Sequence, residues 1–209
     1  MKQHLAIILS TIVVAFSATA QVELSKGIKV GLNFATAGGS DAPSSNSSAT
    51  QYAFGAFVEV RLPYRFSVEP EVFYSLKGRK GTTTAILLSG PSSTQVTETL
   101  GYLDIPVLLK YYLPLNALDI SVYAAPSIGF LLHAKARMES STTIYEQDIL
   151  GQRTGTDFGL VIGTGIIIPT ELVSATLDVR YDLGLTALDN DNSRHKYNRV
   201  LQVLIGVSL

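Results

Sequence analysis

The chain has 209 residues, no cysteine and a formal net charge of −1, and 46% of its residues are hydrophobic. This length fits one domain plus a targeting segment, and the lack of cysteine excludes disulfides, thiolate chemistry and a lipid-modified cysteine. A near-neutral charge gives no basis for binding nucleic acid, and every apolar stretch is shorter than the roughly 20 residues that a transmembrane helix needs.

Residues 1–20 have the pattern of a cleaved signal peptide. Lys2 opens a short n-region, an apolar run follows to Phe16, and small residues end the segment at Ala20. The alternative, an N-terminal membrane anchor, is disfavoured because a run of about a dozen apolar residues is too short to span a bilayer. We therefore predict a signal peptide over residues 1–20 and one domain over residues 21–209.

Eight segments of the remaining chain alternate apolar and polar residues, which is typical of β-strands with one apolar face. In the clearest segment, Leu177, Val179 and Tyr181 alternate with Asp178 and Arg180. The segments are long enough to cross a membrane at the usual strand tilt. In chain order they cover residues 28–34, 52–62, 66–77, 102–112, 120–135, 157–168, 176–186 and 201–209.

The connections between these segments alternate in length. Short ones, each opening with proline, cover residues 63–65, 114–118 and 169–173, and long polar ones cover residues 37–50, 78–98, 139–155 and 189–197. Outer-membrane barrels have this asymmetry, with short periplasmic turns and long extracellular loops. The pattern predicts an all-β fold: a closed eight-stranded antiparallel transmembrane β-barrel, an up-and-down meander in the outer membrane of a Gram-negative bacterium, with both termini in the periplasm.

A soluble up-and-down barrel would also alternate, with its apolar face turned inward. Two features favour the membrane barrel. Glycine is frequent on the polar face, as a narrow eight-stranded lumen requires, and aromatic residues cluster at the ends of the apolar faces, where interfacial girdles lie. These aromatic residues are Phe34, Tyr52, Phe54, Tyr74, Phe130 and Phe158 at the outer ends and Phe66 and Tyr111 at the periplasmic ends.

Charged residues on the polar face are the candidate site residues. Most lie a few residues from a short turn, so charges of both signs are expected to share one depth and to pair, because an unpaired buried charge is costly. A structural plug is the preferred interpretation, and an ion or proton path, or a paired-carboxylate site at Glu69 and Glu71, is the alternative. The predicted lumen network consists of Glu59, Glu69, Glu71, Asp104, Lys110, Asp178 and Arg180.

Catalysis has little support in the sequence. After the predicted signal peptide, the histidines are His133 and His195. A lipid hydrolase built on serine and histidine would need an outward-facing pair at lipid level, whereas the alternation places His133 on the polar, lumen side. We therefore predict no catalytic residue, no cofactor and no metal site, and a lipid-modifying enzyme is the least favoured function.

Short motifs run in order along nearly the whole mature chain. They are Gly27-Ile28-Lys29-Val30-Gly31, Val68-Glu69-Pro70-Glu71-Val72-Phe73-Tyr74-Ser75 with Lys77-Gly78, Tyr102-Leu103-Asp104-Ile105-Pro106-Val107-Leu108-Leu109-Lys110-Tyr111, Asp157-Phe158-Gly159, Arg180-Tyr181 with Gly184-Leu185-Thr186, and Asn198-Arg199. In their order and spacing the chain resembles the PorT-like family of outer-membrane β-barrels, common in Bacteroidetes. The resemblance implies an eight-stranded barrel and, through the family's namesake, a link to protein secretion and gliding. The final Leu209 departs from the terminal aromatic residue common in such barrels.

The long loops are the leading functional surface. We predict a non-enzymatic outer-membrane barrel that presents four extracellular loops for envelope integrity, adhesion or partner contact. The alternatives are a narrow ion or solute pore and a PorT-like accessory of a secretion system; an eight-stranded interior filled by side chains argues against open conductance. The expected partners of this monomeric barrel are outer-membrane lipid and, through the loops, another envelope protein or a surface ligand, but not nucleic acid.

Overall fold

The computed structural model describes residues 23–42, 47–87, 90–115, 119–140, 143–190 and 195–209, and the side chains of these residues except 83–92. The predicted signal peptide lies outside the described residues, as do parts of the predicted connections at 43–46, 88–89, 116–118, 141–142 and 191–194. In the described part of the chain, no helix is long and apolar enough to cross a membrane.

Within the described residues, nine strands form one antiparallel sheet, and eight of them form a ring. The hydrogen-bonded order is β1-β2-β3-β4-β5-β7-β8-β9, and β9 pairs with β1. Pairing of β4 with β5 gives every strand of the ring two neighbours. The strands are β1 Leu24–Gly38, β2 Ala49–Arg61, β3 Phe66–Leu87, β4 Gly90–Tyr112, β5 Asp119–Glu139, β6 Ile144–Asp148, β7 Thr156–Pro169, β8 Ser174–Gly184 and β9 Tyr197–Ser208.

Two of the predicted long loops contain strands. The loop predicted over residues 78–98 is wrong, because β3 and β4 continue there as a hairpin paired from Gly78 with Thr99 to Leu87 with Gly90. Threonine is frequent in this segment and its β-branched side chain favours extended backbone, even where the composition is polar. The loop predicted over residues 139–155 contains β6, which pairs with the last residues of β5, and a 3₁₀ turn over Leu150–Gln152. In the part of the chain that the structure describes, the sheet therefore has nine strands instead of the eight predicted.

The two ends of the ring differ. At one end, here called the short-turn end, the connection Pro63–Arg65 is a single 3₁₀ turn in which Tyr64 has a φ of 63°. The backbone N–H of Leu62 donates to the carbonyl of Phe66 at 2.8 Å across that turn. At the other end, here called the long-hairpin end, the β3–β4 hairpin and β6 extend the sheet.

The apolar face of the ring points outward. Val30 is 52% exposed and Leu109 is 54% exposed, whereas Glu69 and Arg180 are buried inside the ring. A soluble barrel with an apolar interior is therefore excluded, because it would expose the polar face instead. An apolar outer surface around a polar interior is the arrangement that a lipid bilayer requires of a barrel.

Aromatic side chains lie on the outer surface at two levels. Toward the long-hairpin end, the ring of Tyr74 lies 6.4 Å from that of Tyr52 and 5.4 Å from that of Phe54. Toward the short-turn end, Phe66 and Tyr111 have ring centroids 5.1 Å apart. Amphipathic aromatic rings favour the headgroup region, so the two levels mark the edges of the hydrocarbon layer.

Candidate functional site

Lys29 is the centre of a cluster of ion pairs inside the half of the ring nearest the short-turn end. Its Nζ lies 2.7 Å from an oxygen of Glu69, 2.7 Å from an oxygen of Glu71 and 3.2 Å from Asp178 Oδ2. The side chains are almost fully buried, and three carboxylates around one ammonium compensate for the water that it loses. We call Lys29, Glu69, Glu71, Lys110, Asp178 and Arg180 the lower network.

Arg180 extends the lower network across the lumen. Its Nη1 donates to Glu71 Oε2. Because β3 and β8 are four positions apart in either direction around the ring, this ion pair joins opposite walls. Arg180 Nε donates to Gln202 Oε1 at 2.6 Å, and Gln202 Nε2 donates to Asn33 Oδ1 at 2.8 Å. Side chains therefore bridge the whole width of the lumen at this depth.

Little space remains between the lower network and the short-turn end. Lys110 pairs with Glu69, and Glu59 accepts a hydrogen bond from the Tyr112 hydroxyl. The cavity that Glu59, Glu69 and Lys110 help to line has a volume of about 10 Å³. A single water molecule needs about that much space, so this cavity holds at most about one water molecule.

A second cluster of charges lies in the half of the ring nearest the long-hairpin end. Lys77 Nζ is 2.8 Å from Asp182 Oδ2, 3.1 Å from Asp104 Oδ2 and 3.8 Å from Asp157 Oδ2. The Lys77–Asp182 pair again joins β3 to β8, on opposite walls. We call these four residues the upper network. It holds one cation and three carboxylates, whereas the lower network holds three of each sign.

Asn198 completes the upper network. Its Nδ2 donates to Asp157 Oδ2 at 2.7 Å. Asp157 Oδ1 is buried and has no hydrogen-bond partner among the described residues. The upper network is therefore both rich in acid and incompletely satisfied.

Sequence comparison agrees with this arrangement of a charged interior inside an apolar surface. A family model described as the outer membrane protein beta-barrel domain matches residues 19–190. The chain belongs to this family. It is an outer-membrane protein.

Solved structures similar to this outer membrane protein beta-barrel domain include three bacterial proteins. Ail, the attachment invasion locus protein of Yersinia pestis, is 13% identical, with 90% of this chain and 99% of that chain covered and a TM-score of 0.47. Neisserial surface protein A is 13% identical, with 91% and 99% covered and a TM-score of 0.48. The N-terminal β-barrel domain of Pseudomonas aeruginosa OprF is 12% identical, with 90% and 100% covered and a TM-score of 0.35. No curated protein sequence matches the chain significantly.

The seven predicted lumen residues are all buried, and the structure distributes them over three places. Glu69, Glu71, Lys110, Asp178 and Arg180 belong to the lower network. Asp104 belongs to the upper network, and Glu59 pairs with Tyr112.

Lys29 and Lys77 were missed as site residues, although each is the cation that binds most carboxylates in its network. A signal for Lys29 was present, because it alternates with the apolar Ile28 and Val30 and so shares the parity of the lumen face.

Glycine on the lumen face makes room for large side chains. A Cβ built on Gly163 would lie 2.8 Å from the ring of Tyr123 and 2.7 Å from the Cβ of Arg180. The space lets Tyr123 reach into the lumen, where its hydroxyl donates to Asp178 Oδ1 at 3.0 Å. A side chain at position 163 would therefore disturb the lower network.

The predicted lumen position of His133 is wrong. The β4–β5 register shifts between Gly101 and Tyr102, whose partners are His133 and Leu131, so β5 has one extra residue at Leu132. A bulge of one residue moves every later side chain to the other face. His133 therefore faces outward, its Nε2 hydrogen-bonded to the Tyr74 hydroxyl at 2.7 Å.

Proposed function

We propose that this outer-membrane protein is a non-enzymatic, monomeric barrel with a closed lumen, which contacts an envelope protein or a surface ligand through its long-hairpin end. One observation carries the closed lumen: ion pairs at two depths, Arg180–Glu71 and Lys77–Asp182, each join opposite strands of the ring. Conduction would require these buried pairs to separate, at a cost of several kcal/mol. The function then lies outside the lumen, at the end where the sheet is most extended.

An apolar cluster supports the same conclusion. It lies between the upper network and the long-hairpin end, and it includes Ile149 and Leu188 from the connections that precede β7 and β9. Both side chains are at least nine-tenths buried. Ile149 and Leu188 thus pack against the inner faces of β4 and β5 at this end of the lumen. The members of this apolar cap are Ala37, Leu100, Tyr102, Ala134, Ala136, Ile149 and Leu188.

The closed lumen predicts that the purified protein, reconstituted in planar bilayers, shows no stable single-channel conductance. The physical reason is the pair of ionic bridges together with the small remaining cavity near Glu59. An open porin inserted into the same bilayers serves as the positive control. Reproducible conductance steps of nanosiemens size would contradict the proposal and support a pore.

Because His133 faces outward, its position no longer argues against a lipid hydrolase. A different observation does. A catalytic histidine needs a third group that orients it through its second nitrogen. His133 Nδ1 is buried, and in the described part of the protein nothing hydrogen-bonds to it. The Tyr74–His133 pair therefore lacks the group that would orient a general base.

A strain that lacks this protein is accordingly expected to have unchanged lipid A. Mass spectra of lipid A from the deletion strain and its parent test this directly, with a complemented strain as the control. A change in acylation or headgroup that complementation reverses would contradict a non-enzymatic role.

The narrower PorT-like assignment belongs to this proposal. It rests on the ordered motifs along the chain, among them Asp157-Phe158-Gly159 at the start of β7 and Asn198-Arg199 at the start of β9. In such a role the envelope partner would be a component of a protein-secretion system.

A further inference from the structure

A polar cavity of about 430 Å³ lies at the long-hairpin end, beyond the apolar cap. Its volume is within the range of about 300–1,000 Å³ that is usual for small-molecule sites. Five charged side chains line it: Arg79, Glu98, Arg153, Asp189 and Lys196. None of them belongs to the lumen networks.

The charges of this cavity do not balance. Glu98 pairs with Arg79 at 2.5 Å and with Arg153 at 3.0 Å. Asp189 pairs with Arg153 and, at 2.9 Å, with Lys196. Three cations therefore face two carboxylates, and the cavity carries an excess of one positive charge.

Glu98 stays ionised in this setting. Burial alone would raise the pKa of its carboxyl group, but the hydrogen bond from Arg79 and the charge of Arg153 outweigh that effect and lower the pKa below its usual value. Glu98 lies on the projecting part of β4, opposite Arg79 on β3, beyond the level of the aromatic girdle. The excess positive charge is therefore present at neutral pH.

Arg153 has hydrogen-bonding capacity left over. Its Nη1 donates to Asp189 and its Nη2 donates to Glu98 at 3.0 Å. Its Nε is buried, and the described residues provide it with no acceptor. A buried donor of a charged group without an acceptor is costly, so an acceptor from a ligand would be stabilising there.

The cavity is held in shape by backbone contacts between two connections. The backbone of Arg153 forms an antiparallel bridge with that of Asp189. The N–H of Thr154 donates to the carbonyl of Leu188 at 2.9 Å, and the N–H of Leu188 donates to the carbonyl of Lys196 at 2.8 Å. Charged groups fixed in this way bind a ligand without a large loss of conformational entropy.

We propose that this cavity binds the oxyanion of an acidic sugar, with Arg153 and Lys196 as its cationic contacts. One excess positive charge matches one carboxylate or phosphate group, and arginine is well suited to such oxyanions. Gln152 and Asn190 also line the cavity, and carboxamides hydrogen-bond sugar hydroxyls. Asn190 Nδ2 already donates to the carbonyl of Gly151 at 3.0 Å, which leaves its Oδ1 as the acceptor. The inference rests on the proposed function, which makes the long-hairpin end the contact surface. The inference adds the class of ligand.

Glucuronate and glucose are the probes that test the site, with calorimetric titration of the folded protein in detergent. Glucuronate is expected to bind at least about tenfold more tightly than glucose, a difference of about 1.4 kcal/mol. Arg153→Gln and Lys196→Gln are each expected to weaken glucuronate binding about tenfold. Glu98→Gln is expected to strengthen it, because it removes a carboxylate that repels the ligand. Opposite effects of these substitutions cannot both come from misfolding.

Lys135→Gln is the matched control. Lys135 is an exposed cation near the same end, paired with Glu146 at 2.8 Å, and its loss should leave glucuronate binding unchanged. Equal binding of glucuronate and glucose, or glucuronate binding that both Arg153→Gln and Lys196→Gln leave unchanged, would overturn the inference. If the binding test fails but the barrel does not conduct, the sugar site is wrong and the closed lumen still stands. If the barrel conducts, the closed lumen is wrong and the sugar site is unaffected.

Vesicles with and without lipopolysaccharide distinguish two sources of the sugar. If lipopolysaccharide in the protein's own vesicle reduces glucuronate binding, the acidic sugar belongs to the surrounding membrane. If glucuronate binding is the same in both vesicles, the sugar comes from a soluble molecule or from a partner's surface. Either result presupposes glucuronate binding and so supports the site.

Discussion

Replacing Arg180 with leucine is expected to destabilise the barrel by about 3–5 kcal/mol, the usual cost of removing one partner from a buried ion pair. The substitution leaves Glu71 with Lys29 as its cation and removes one of the two ion pairs that join β8 to β3 in the described part of the chain. It also deprives Gln202 Oε1 of its donor. The unfolding midpoint in urea, measured on protein refolded into lipid vesicles, reports the loss.

Lys135→Leu is the matched control for this measurement. Lys135 and Glu146 form an ion pair of ordinary length, 2.8 Å, but their side chains are 56% and 50% exposed. Water screens such a pair, so its loss should leave the unfolding midpoint nearly unchanged. If Arg180→Leu behaved like this control, water would reach the lower network and the closed lumen would be wrong.

Alternation in the sequence predicts which face of a strand a residue occupies. It placed Glu69, Glu71 and Arg180 on the polar side, where the structure has them buried. It does not predict which side chains meet, because partners across a lumen depend on strand stagger and on which strands are opposite. The ion pairs that join β3 to β8 across the lumen, Arg180–Glu71 and Lys77–Asp182, could not be predicted for this reason.

The charge imbalance of the predicted network indicated that further cations were missing from it. Five carboxylates and two cations, Lys110 and Arg180, formed the predicted set, and buried charges of one sign in such excess require additional cations. The structure supplies them as Lys29 and Lys77. Balance of charge on the lumen face would therefore have identified both lysines.

Two errors came from local backbone features that alternation does not detect. The extra residue at Leu132 moves His133 to the face opposite the predicted one, and a bulge has no reliable pattern in a single sequence. The segment of the β3–β4 hairpin beyond Gly78 does not alternate apolar and polar residues, so the sequence predicts a loop there. Strands that project from a membrane meet water on both sides and need no apolar face.

Replacing Lys77 with methionine is expected to destabilise the barrel by at least about 3–5 kcal/mol. Methionine resembles the aliphatic stem of lysine but lacks the ammonium group, so Asp104, Asp157 and Asp182 would face one another without a cation. Three like charges in a buried space repel strongly because the local dielectric is low. The urea midpoint in lipid vesicles again measures the effect, with Lys77→Arg as a control that keeps the charge.

The acid excess of the upper network also predicts effects of opposite sign. Asp182→Asn combined with Lys77→Met should recover part of the lost stability, because it removes one of the three repelling charges.

In the native chain, Asp157→Asn should cost little or stabilise, since its Oδ1 has no partner within the described part of the protein. Asp178→Asn, in the balanced lower network, should destabilise because it weakens the contact with Lys29. If Asp157→Asn and Asp178→Asn lowered the urea midpoint equally, the upper network would not be short of positive charge.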